Sequence, residues 1–175
     1  MAEPRRVPGT CRHCASPHEP HTSRTPSCTV CTRFSSLRSN AAKVRRTGVA
    51  PGLGFDLAAF AEWFARQPRE CAYCHIPEYL IEELGVRTQV GLPLQRLGVD
   101  RLDGEQGYEL GNIVLCCFSC NKARSNTFSA EEMEIIAPGI SEAWSRRLAK
   151  IGITWSAPAE TSGRGRKSTT ASARR

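Results

Sequence analysis

The residues best suited to chemistry lie between positions 97 and 126, which read LGVDRLDGEQGYELGNIVLCCFSCNKARSN. Asp100 closes a short predicted strand, a glycine-bearing turn follows, and a second strand opens at Asn112. A CxxC then begins a predicted helix that carries Asn121 directly after its last cysteine. Mg²⁺ prefers oxygen ligands and keeps several waters. Asp100 and Asn121 are therefore the candidate ligands of a catalytic divalent cation, and the chemistry that they would serve is phosphodiester hydrolysis.

Two more side chains in this motif are candidates for catalysis. The four histidines of the chain all lie outside the motif. Arg101 stays protonated at ordinary pH, so we expect it to clamp the scissile phosphate or stabilise developing charge rather than act as a base. Tyr108 is expected to position the attacking water by a hydrogen bond, and packing beside Gly107 in the turn is the alternative. Asp103 is interpreted as a cap of the turn.

Eight of the nine cysteines form four CxxC pairs. Without an export signal, such pairs favour metal binding over disulfides, and two pairs make one tetrahedral four-thiolate zinc site. The sequence therefore predicts two structural zinc ions per chain, zinc 1 on Cys11, Cys14, Cys28 and Cys31 and zinc 2 on Cys71, Cys74, Cys117 and Cys120. Cys116 is left over. Two alternatives remain open, a ligand role for His18 or His21 in the first site and scattered buried thiols.

Basic residues are concentrated towards the two ends of the chain. Residues 1–48 carry nine Lys or Arg against two Glu, and residues 156–175 carry five against one, whereas residues 49–155 carry ten against fourteen acids. Cations that hold phosphates beside carboxylates that hold metal are typical of a nuclease. The expected contacts to double-stranded DNA are Arg33, Arg38, Lys43, Arg45, Arg46, Lys122 and Arg124. The alternative is that these basic side chains only face solvent and bind nothing. It applies above all to the C-terminal tail and to Lys122 and Arg124.

The composition argues against a membrane protein. No apolar run approaches the roughly 20 residues of a membrane span. The first residues, MAEPRRVPGT, lack the apolar core of a signal peptide. We therefore expect a soluble cytoplasmic protein of bacterial or phage origin.

The predicted fold is a small, zinc-stabilised α+β protein. A helix is expected over 32–46, and Asp56 is expected to cap a second helix whose apolar face packs in the core. A short helix is expected near 77–84. Ser129 and Glu132 form a predicted capping box. Two further helical segments are then expected, interrupted at Pro138 and Gly139 and resumed at a cap on Ser141.

At the segments LGVDRLD, GY and CFSCNKARSN the chain resembles the HNH nuclease superfamily, in the variant with Asp-Arg where Asp-His is usual. Within this superfamily, the chain is similar to a rare-cutting restriction endonuclease over about residues 11–148. The similarity includes the paired CxxC zinc knuckles and the segments FAEWF, CAYC, FSAEEME and ISEAW. The resemblance implies a ββα-metal (His-Me finger) core flanked by the two four-cysteine zinc sites. It also implies that Asn112 supports the turn. The relative has a histidine where residues 32–55 contain none, so a role for that histidine does not carry over.

Composition and motifs divide the chain into four expected regions, and the resemblance implies an activity. The expected regions are a disordered N-terminus (1–10), a zinc knuckle with a basic DNA-contacting segment (11–48), a nuclease domain with the second zinc (49–155) and a disordered basic tail (156–175). Asp100, Arg101 and Asn121 occupy the family's metal and catalytic positions, which implies a Mg²⁺-dependent type II endonuclease. It would act as a homodimer on a palindromic, AT-rich and rare site, with a cognate methyltransferase as a candidate partner.

Two other functions fit parts of the sequence. A phage or mobile-element HNH nicking endonuclease would share the ββα motif, although the N-terminal knuckle is less usual there. A non-catalytic zinc-ribbon DNA-binding regulator would explain the missing histidine. The presence of Asp100, Arg101 and Asn121 together argues against the regulator.

Overall fold

The computed structural model describes residues 9–11, 13–14, 17–18, 27–48, 52–87, 91 and 93–158. The regular elements are β1 (Gly9–Thr10), β2 (Pro17–His18), α1 (Thr29–Thr47), α2 (Leu57–Arg66), β3 (Gly98–Arg101), β4 (Ile113–Cys116), α3 (Phe118–Arg124) and α4 (Ala130–Ala149). Two 3₁₀ helices lie at Glu78–Leu80 and Leu110–Asn112. The described residues form a small α+β fold, as predicted, with two two-stranded sheets, of which only the β3–β4 sheet was expected. The tail beyond 158, residues 1–8 and His21 lie outside the described residues.

The first cysteine group and α1 are continuous. Cys28 is the N-cap of α1, and its sulfur accepts a hydrogen bond from the N–H of Cys31. The helix therefore starts three residues earlier than the sequence predicted. It ends at Gly48, whose φ of +70° gives the left-handed conformation that glycine adopts without steric cost. The knuckle thus fixes where the basic helix begins.

Aromatic side chains bind α1 to α2. Asp56 caps α2 through a hydrogen bond from the N–H of Ala59, as predicted. Phe60 lies fully buried, with its ring centroid 5.7 Å from Phe34 of α1 and 5.6 Å from Trp63. Such separations are typical of packed aromatic pairs. The apolar face of α2 therefore belongs to the core and not to a base-stacking surface.

The finger, defined here as β3, β4 and α3, follows the predicted order. β3 and β4 pair antiparallel, with Asp100 opposite Val114 and Gly98 opposite Cys116. A single residue, Cys117, separates β4 from α3. It is the N-cap of α3, and its sulfur accepts a hydrogen bond from the N–H of Cys120. This short connection turns α3 back across the hairpin, so that Asp100 and the first turn of α3 lie on the same side.

The C-terminal helix differs from the prediction. α4 runs unbroken from Ala130 to Ala149 through Pro138. Proline in a helix interior costs about 3 kcal/mol, but Met133, Ala137, Trp144 and Leu148 bury the apolar face of the helix on both sides of it. Ser141 is not a cap. Its hydroxyl donates to the carbonyls of Cys74 and Ala137, which docks α4 on the second cysteine group.

Three further predictions of local structure can be compared with the observed elements. The capping box of Ser129 and Glu132 is present in both directions. The helix expected near 77–84 is only the 3₁₀ turn at Glu78–Leu80. Gly9–Thr10, expected to be irregular, pairs with Pro17–His18. In the described part of the chain, no helix is both long and apolar enough to cross a bilayer.

Candidate active site

Asp100 is the centre of a buried polar cluster. Its side chain is 12% exposed, and its Oδ2 accepts hydrogen bonds from the Tyr73 hydroxyl at 3.0 Å and from Arg124 Nη1 at 3.2 Å. Burial raises the pKa of Asp100 above its ordinary value, while the Arg124 charge and the hydrogen bonds act in the opposite direction. Asp100 is therefore a desolvated carboxyl group, and its ionised form is stabilised by Tyr73 and Arg124.

Arg124 has a different position from the one that the sequence predicted. It is 5% exposed, and besides Asp100 its Nη2 donates to the Leu102 carbonyl. Its guanidinium is thus held by Asp100 and by the Leu102 carbonyl at the wall of a polar cavity, and a contact of Arg124 with a DNA phosphate stays a prediction.

Tyr73 is the site residue that the sequence reasoning missed. It stands between the two cysteines of the CAYC knuckle, and its hydroxyl reaches Asp100 across 27 positions of sequence. Burial, together with the charge of Asp100, raises its pKa well above the ordinary value for tyrosine. Its hydroxyl therefore stays protonated and donates a hydrogen bond to the carboxylate. Spacing rules do not connect a knuckle residue with a strand, which is why only the fold reveals this contact.

Asn121 and Asp100 line one cavity of about 230 Å³. Its wall is almost wholly polar, and the other lining side chains include Asn40, Arg101 and Tyr108. The structure thus brings the two predicted ligands and both predicted catalytic side chains to one cavity, here called the catalytic cavity. An oxygen-rich wall of this kind fits a hard cation with water and phosphate.

Arg101 and Tyr108 support each other beside the finger turn. Arg101 Nη1 donates to the carbonyls of Gly104 at 2.7 Å and Gln106 at 2.8 Å. Its guanidinium carbon lies 5.3 Å from the centroid of the Tyr108 ring, a cation–π distance. Tyr108 is 8% exposed, and burial raises its pKa. Packing in the turn, the alternative interpretation of Tyr108, is therefore part of its role.

Asn112 and Asp103 hold the turn in shape. Asn112 Oδ1 accepts from the N–H of Asp103, and its Nδ2 donates to the carbonyls of Asp103 and Gly107. Asp103 in turn accepts from the N–H of Glu105 and from Gln106 Nε2. Both residues are structural, as expected, and they fix the carbonyls that Arg101 binds.

Comparison with known proteins gives one match. Neither a protein-family model nor a curated protein matches the chain. Among solved structures, the chain is similar to that of the rare-cutting HNH restriction endonuclease PacI, with 33% sequence identity and a TM-score of 0.69. The match covers 83% of this chain and 99% of the PacI chain. The chain belongs to the HNH nuclease family. The expected family is thereby confirmed.

This HNH chain brings its eight paired cysteines together in the predicted groups of four. Within each group the sulfur atoms lie within 4.8 Å of one another, and Cys14–Cys28 and Cys74–Cys117 are each 3.7 Å apart. Sulfurs about 2.3 Å from a central zinc ion stand at such separations. Cys116 is fully buried outside both groups. The donor set and its spacing therefore fit one tetrahedral metal ion per group.

Burial and hydrogen bonding raise the pKa of some cysteines in the two groups and lower that of others. The N–H of Cys28 donates to Cys11 Sγ at 3.3 Å and, as the largest cause, lowers the pKa of Cys11 to about 5. In the second group, hydrogen bonds among the thiols lower the pKa of Cys71 and Cys117 and raise that of Cys74 and Cys120. Four thiolates this close need a cation between them, so binding of a metal ion would be coupled to loss of the thiol protons.

The basic side chains of this HNH protein divide into buried and exposed sets. Arg33 is 7% exposed, forms an ion pair with Glu78 and donates from Nε to the Leu97 carbonyl. It therefore anchors α1 to the residue directly before β3, the strand that carries Asp100, and a contact of Arg33 with DNA stays a prediction. The remaining predicted DNA contacts are exposed on α1 and α3, namely Arg38, Lys43, Arg45, Arg46 and Lys122.

Proposed function

We propose that this protein is a divalent-metal-dependent DNA endonuclease, a homodimeric type II restriction enzyme that cuts a palindromic, AT-rich and rare site. The observation that carries the proposal is the catalytic cavity, where Asp100, Asn121 and Arg101 meet in a chain of the HNH family. The similarity to PacI, a rare-cutting restriction endonuclease, supports the type of specificity. A cytoplasmic location and a cognate methyltransferase belong to the same proposal, because a restriction enzyme requires protected host DNA.

Asp100 and Asn121 would hold one Mg²⁺ ion per chain in the catalytic cavity. When bound, the cation supplies charge neutralisation on the scissile phosphate and the leaving oxygen. Asp100 offers the carboxylate oxygen, and the Arg124 ion pair favours its anionic form against burial. Asn121 offers a neutral carbonyl oxygen from the first turn of α3.

Arg101 would hold the phosphate in line. A guanidinium has five N–H donors, and two bonds from Nη1 fix it to the turn. The remaining donors extend from a side chain that is already oriented, so little entropy is lost when phosphate binds. Tyr108, packed against the same guanidinium, would position the attacking water through its hydroxyl.

Two zinc ions per chain would stabilise this arrangement. The second cysteine group joins the loop that carries Tyr73 to the helix that carries Asn121 and Arg124. Zinc there would set the distance between the Tyr73 hydroxyl and Asp100. The first group would fix the start of α1, whose exposed Arg38, Lys43, Arg45 and Arg46 would neutralise DNA phosphates together with Lys122 of α3.

A plasmid assay tests this proposal. Supercoiled DNA carrying many different sites is incubated with Mg²⁺ and wild-type protein, beside Asp100→Ala and a chelator control. We expect linear products from wild type and a loss of at least about 100-fold in the variant, since one metal ligand is removed. Sequencing the ends of genomic fragments then gives the site and the stagger.

Each other outcome assigns a different function. Nicked circles without linear DNA at any enzyme concentration would indicate the nicking endonuclease. DNA binding without cleavage across Mg²⁺, Mn²⁺, Co²⁺ and Ni²⁺ would indicate the non-catalytic regulator. Cleavage by Asp100→Ala at the wild-type rate would contradict the site assigned above.

A further inference from the structure

We propose that a second cavity beside the catalytic one receives the base of the nucleotide next to the scissile phosphate, and that Asn40 reads the edge of that base. This inference rests on the proposed function. The second cavity, here called the base cavity, has a volume of about 340 Å³ between α1, β3 and the start of α3. Pockets that bind small molecules have volumes of about 300–1,000 Å³.

The two cavities adjoin and differ in character. Asn40, Val99 and Asn121 line both of them. The wall of the catalytic cavity is polar, whereas most of the exposed wall of the base cavity is apolar. Leu37, Leu94, Leu97 and Val99 contribute to that wall, and Arg33 and Arg96 also line the cavity. A nucleotide has the same two parts, a charged phosphate and a flat ring with apolar faces. The paired cavities therefore match one nucleotide whose phosphate lies at Asp100.

The residues that line the base cavity include an aromatic ring and two polar side chains that could contact a base. Phe118, the first residue of α3, lines the cavity and is 38% exposed, so its ring is available for stacking. Ser36 and Asn40 stand one helical turn apart on α1 and also line it. The Ser36 hydroxyl already donates to the Thr32 carbonyl.

Asn40 is the residue of this set suited to reading sequence. It is exposed, and its position at the junction of the two cavities places it beside the phosphate and the base at once. A carboxamide presents a donor and an acceptor side by side, and in protein–DNA complexes it pairs with adenine through both. The geometry assigns Asn40 as a specificity-determining residue rather than a catalytic one.

A pair of tryptophan variants tests the base cavity. Ser36 and Ser39 are both exposed serines of α1 whose hydroxyls donate to the carbonyl four residues earlier, but only Ser36 lines the cavity. We expect Ser36→Trp to fill the cavity and lower the single-turnover cleavage rate about 100-fold. Ser39→Trp, the matched control, should stay within about twofold. Equal rates for the two variants would overturn the proposal.

A fluorescence readout separates base entry from loss of fold or of DNA binding. 2-Aminopurine is placed next to the cut position in the cognate duplex, with Ca²⁺ in place of Mg²⁺. Wild type and Ser39→Trp should raise its fluorescence, because the base leaves the stack, and Ser36→Trp should bind DNA without that rise. An unchanged signal with wild type would contradict base entry.

Asn40→Ala tests the reading of the base. We expect its discrimination against the three other bases at the position next to the cut to fall about tenfold, while other positions of the site keep their preference. A uniform loss at all positions would make Asn40 a phosphate contact and would overturn its assignment.

The proposed function and this inference fail separately. If wild type cuts no DNA, the function fails, and the cavity is then tested by NMR with a mixture of DNA dinucleotides and Ca²⁺. Shifts of the Gly98 and Val99 amides that Ser36→Trp abolishes would still support the base cavity, and their absence would overturn it. If wild type cuts and the two tryptophan variants match, the inference alone fails.

Discussion

The two cysteine groups look alike in the sequence and differ in the fold. Each combines two CxxC pairs, but the second group is wholly buried, whereas Cys14 of the first is exposed and Cys28 is half-buried. The second group is also bonded to its surroundings, since Ala72 N–H donates to the Leu115 carbonyl and Ser141 donates to Cys74. The same motif therefore serves as the centre of the nuclease core in one region and as the cap of a basic helix in the other.

The largest expected effect comes from breaking the buried group. Cys120→Ser removes a proposed metal ligand from α3 and leaves three cysteines packed among apolar side chains. We expect loss of one zinc per chain, no measurable cleavage and a loss of more than about 4 kcal/mol in the free energy of unfolding. Metal analysis after gel filtration measures the zinc content, and chemical denaturation measures the free energy of unfolding. A folded, active variant with one zinc would remove the distinction between the groups.

A smaller loss is expected when the buried group stays intact but its contact with Asp100 is removed. Tyr73→Phe deletes the hydroxyl that donates to Oδ2 and leaves the ring in place. Outer partners of metal ligands typically contribute about 10–100-fold to affinity or activity. We expect a loss in that range in the single-turnover rate, with an unchanged zinc content. Tyr79→Phe, at an exposed position in the same region, is the matched control and should match wild type.

The exposed group should affect DNA binding before it affects the finger. Cys28→Ser keeps a capping oxygen but removes one of the four sulfurs proposed to bind zinc at the start of α1, whose basic residues are proposed to neutralise phosphates. We expect about tenfold weaker DNA binding at moderate salt and a shallower salt dependence, because fewer phosphate contacts form. Amide NMR signals of the finger should keep their positions. Loss of those signals together with binding would show that the two regions fold as one unit.

The smallest effect concerns the charge balance at Asp100. Arg124 favours the carboxylate, so Arg124→Met should raise the pKa of Asp100 further and move the acid limb of the pH–rate profile to higher pH at fixed, subsaturating Mg²⁺. Arg124→Lys keeps the charge and should move the limb less. The rate on the alkaline side should change by less than about tenfold. A shift of the limb to lower pH would contradict this account of the ion pair.

Local signals in the sequence predicted local structure well. The caps at Asp56 and Ser129 and the two strands of the finger depend on residues within a few positions of each other, and all are present. The grouping of the cysteines also followed, because a four-thiolate site needs two CxxC pairs wherever they meet. The break predicted at Pro138 is wrong, since the burial of α4 outweighs the preference of proline against a helix interior.

Charge on a side chain did not predict where that side chain would lie. Arg33 and Arg124 look in the sequence like the other basic residues near them, yet both are buried in ion pairs. Burial of a charge requires a partner, and the partners Glu78 and Asp100 lie far away along the chain. The exposed arginines of α1 and the buried ones therefore become distinguishable only when the packing of α1 and α3 is known.

The sequence by itself determined the chemical inventory of this protein: two sets of four thiolates, a carboxylate and an amide at the spacing of the finger, and a basic helix beside them. Only the tertiary structure decided that Tyr73 and Arg124 hold Asp100 and that Asn40 stands between two cavities. The physical reason is the separation along the chain between the residues that interact. Caps, turns and ligand pairs are selected by neighbours along the chain, whereas hydrogen bonds to a buried carboxylate depend on which segments the core brings together.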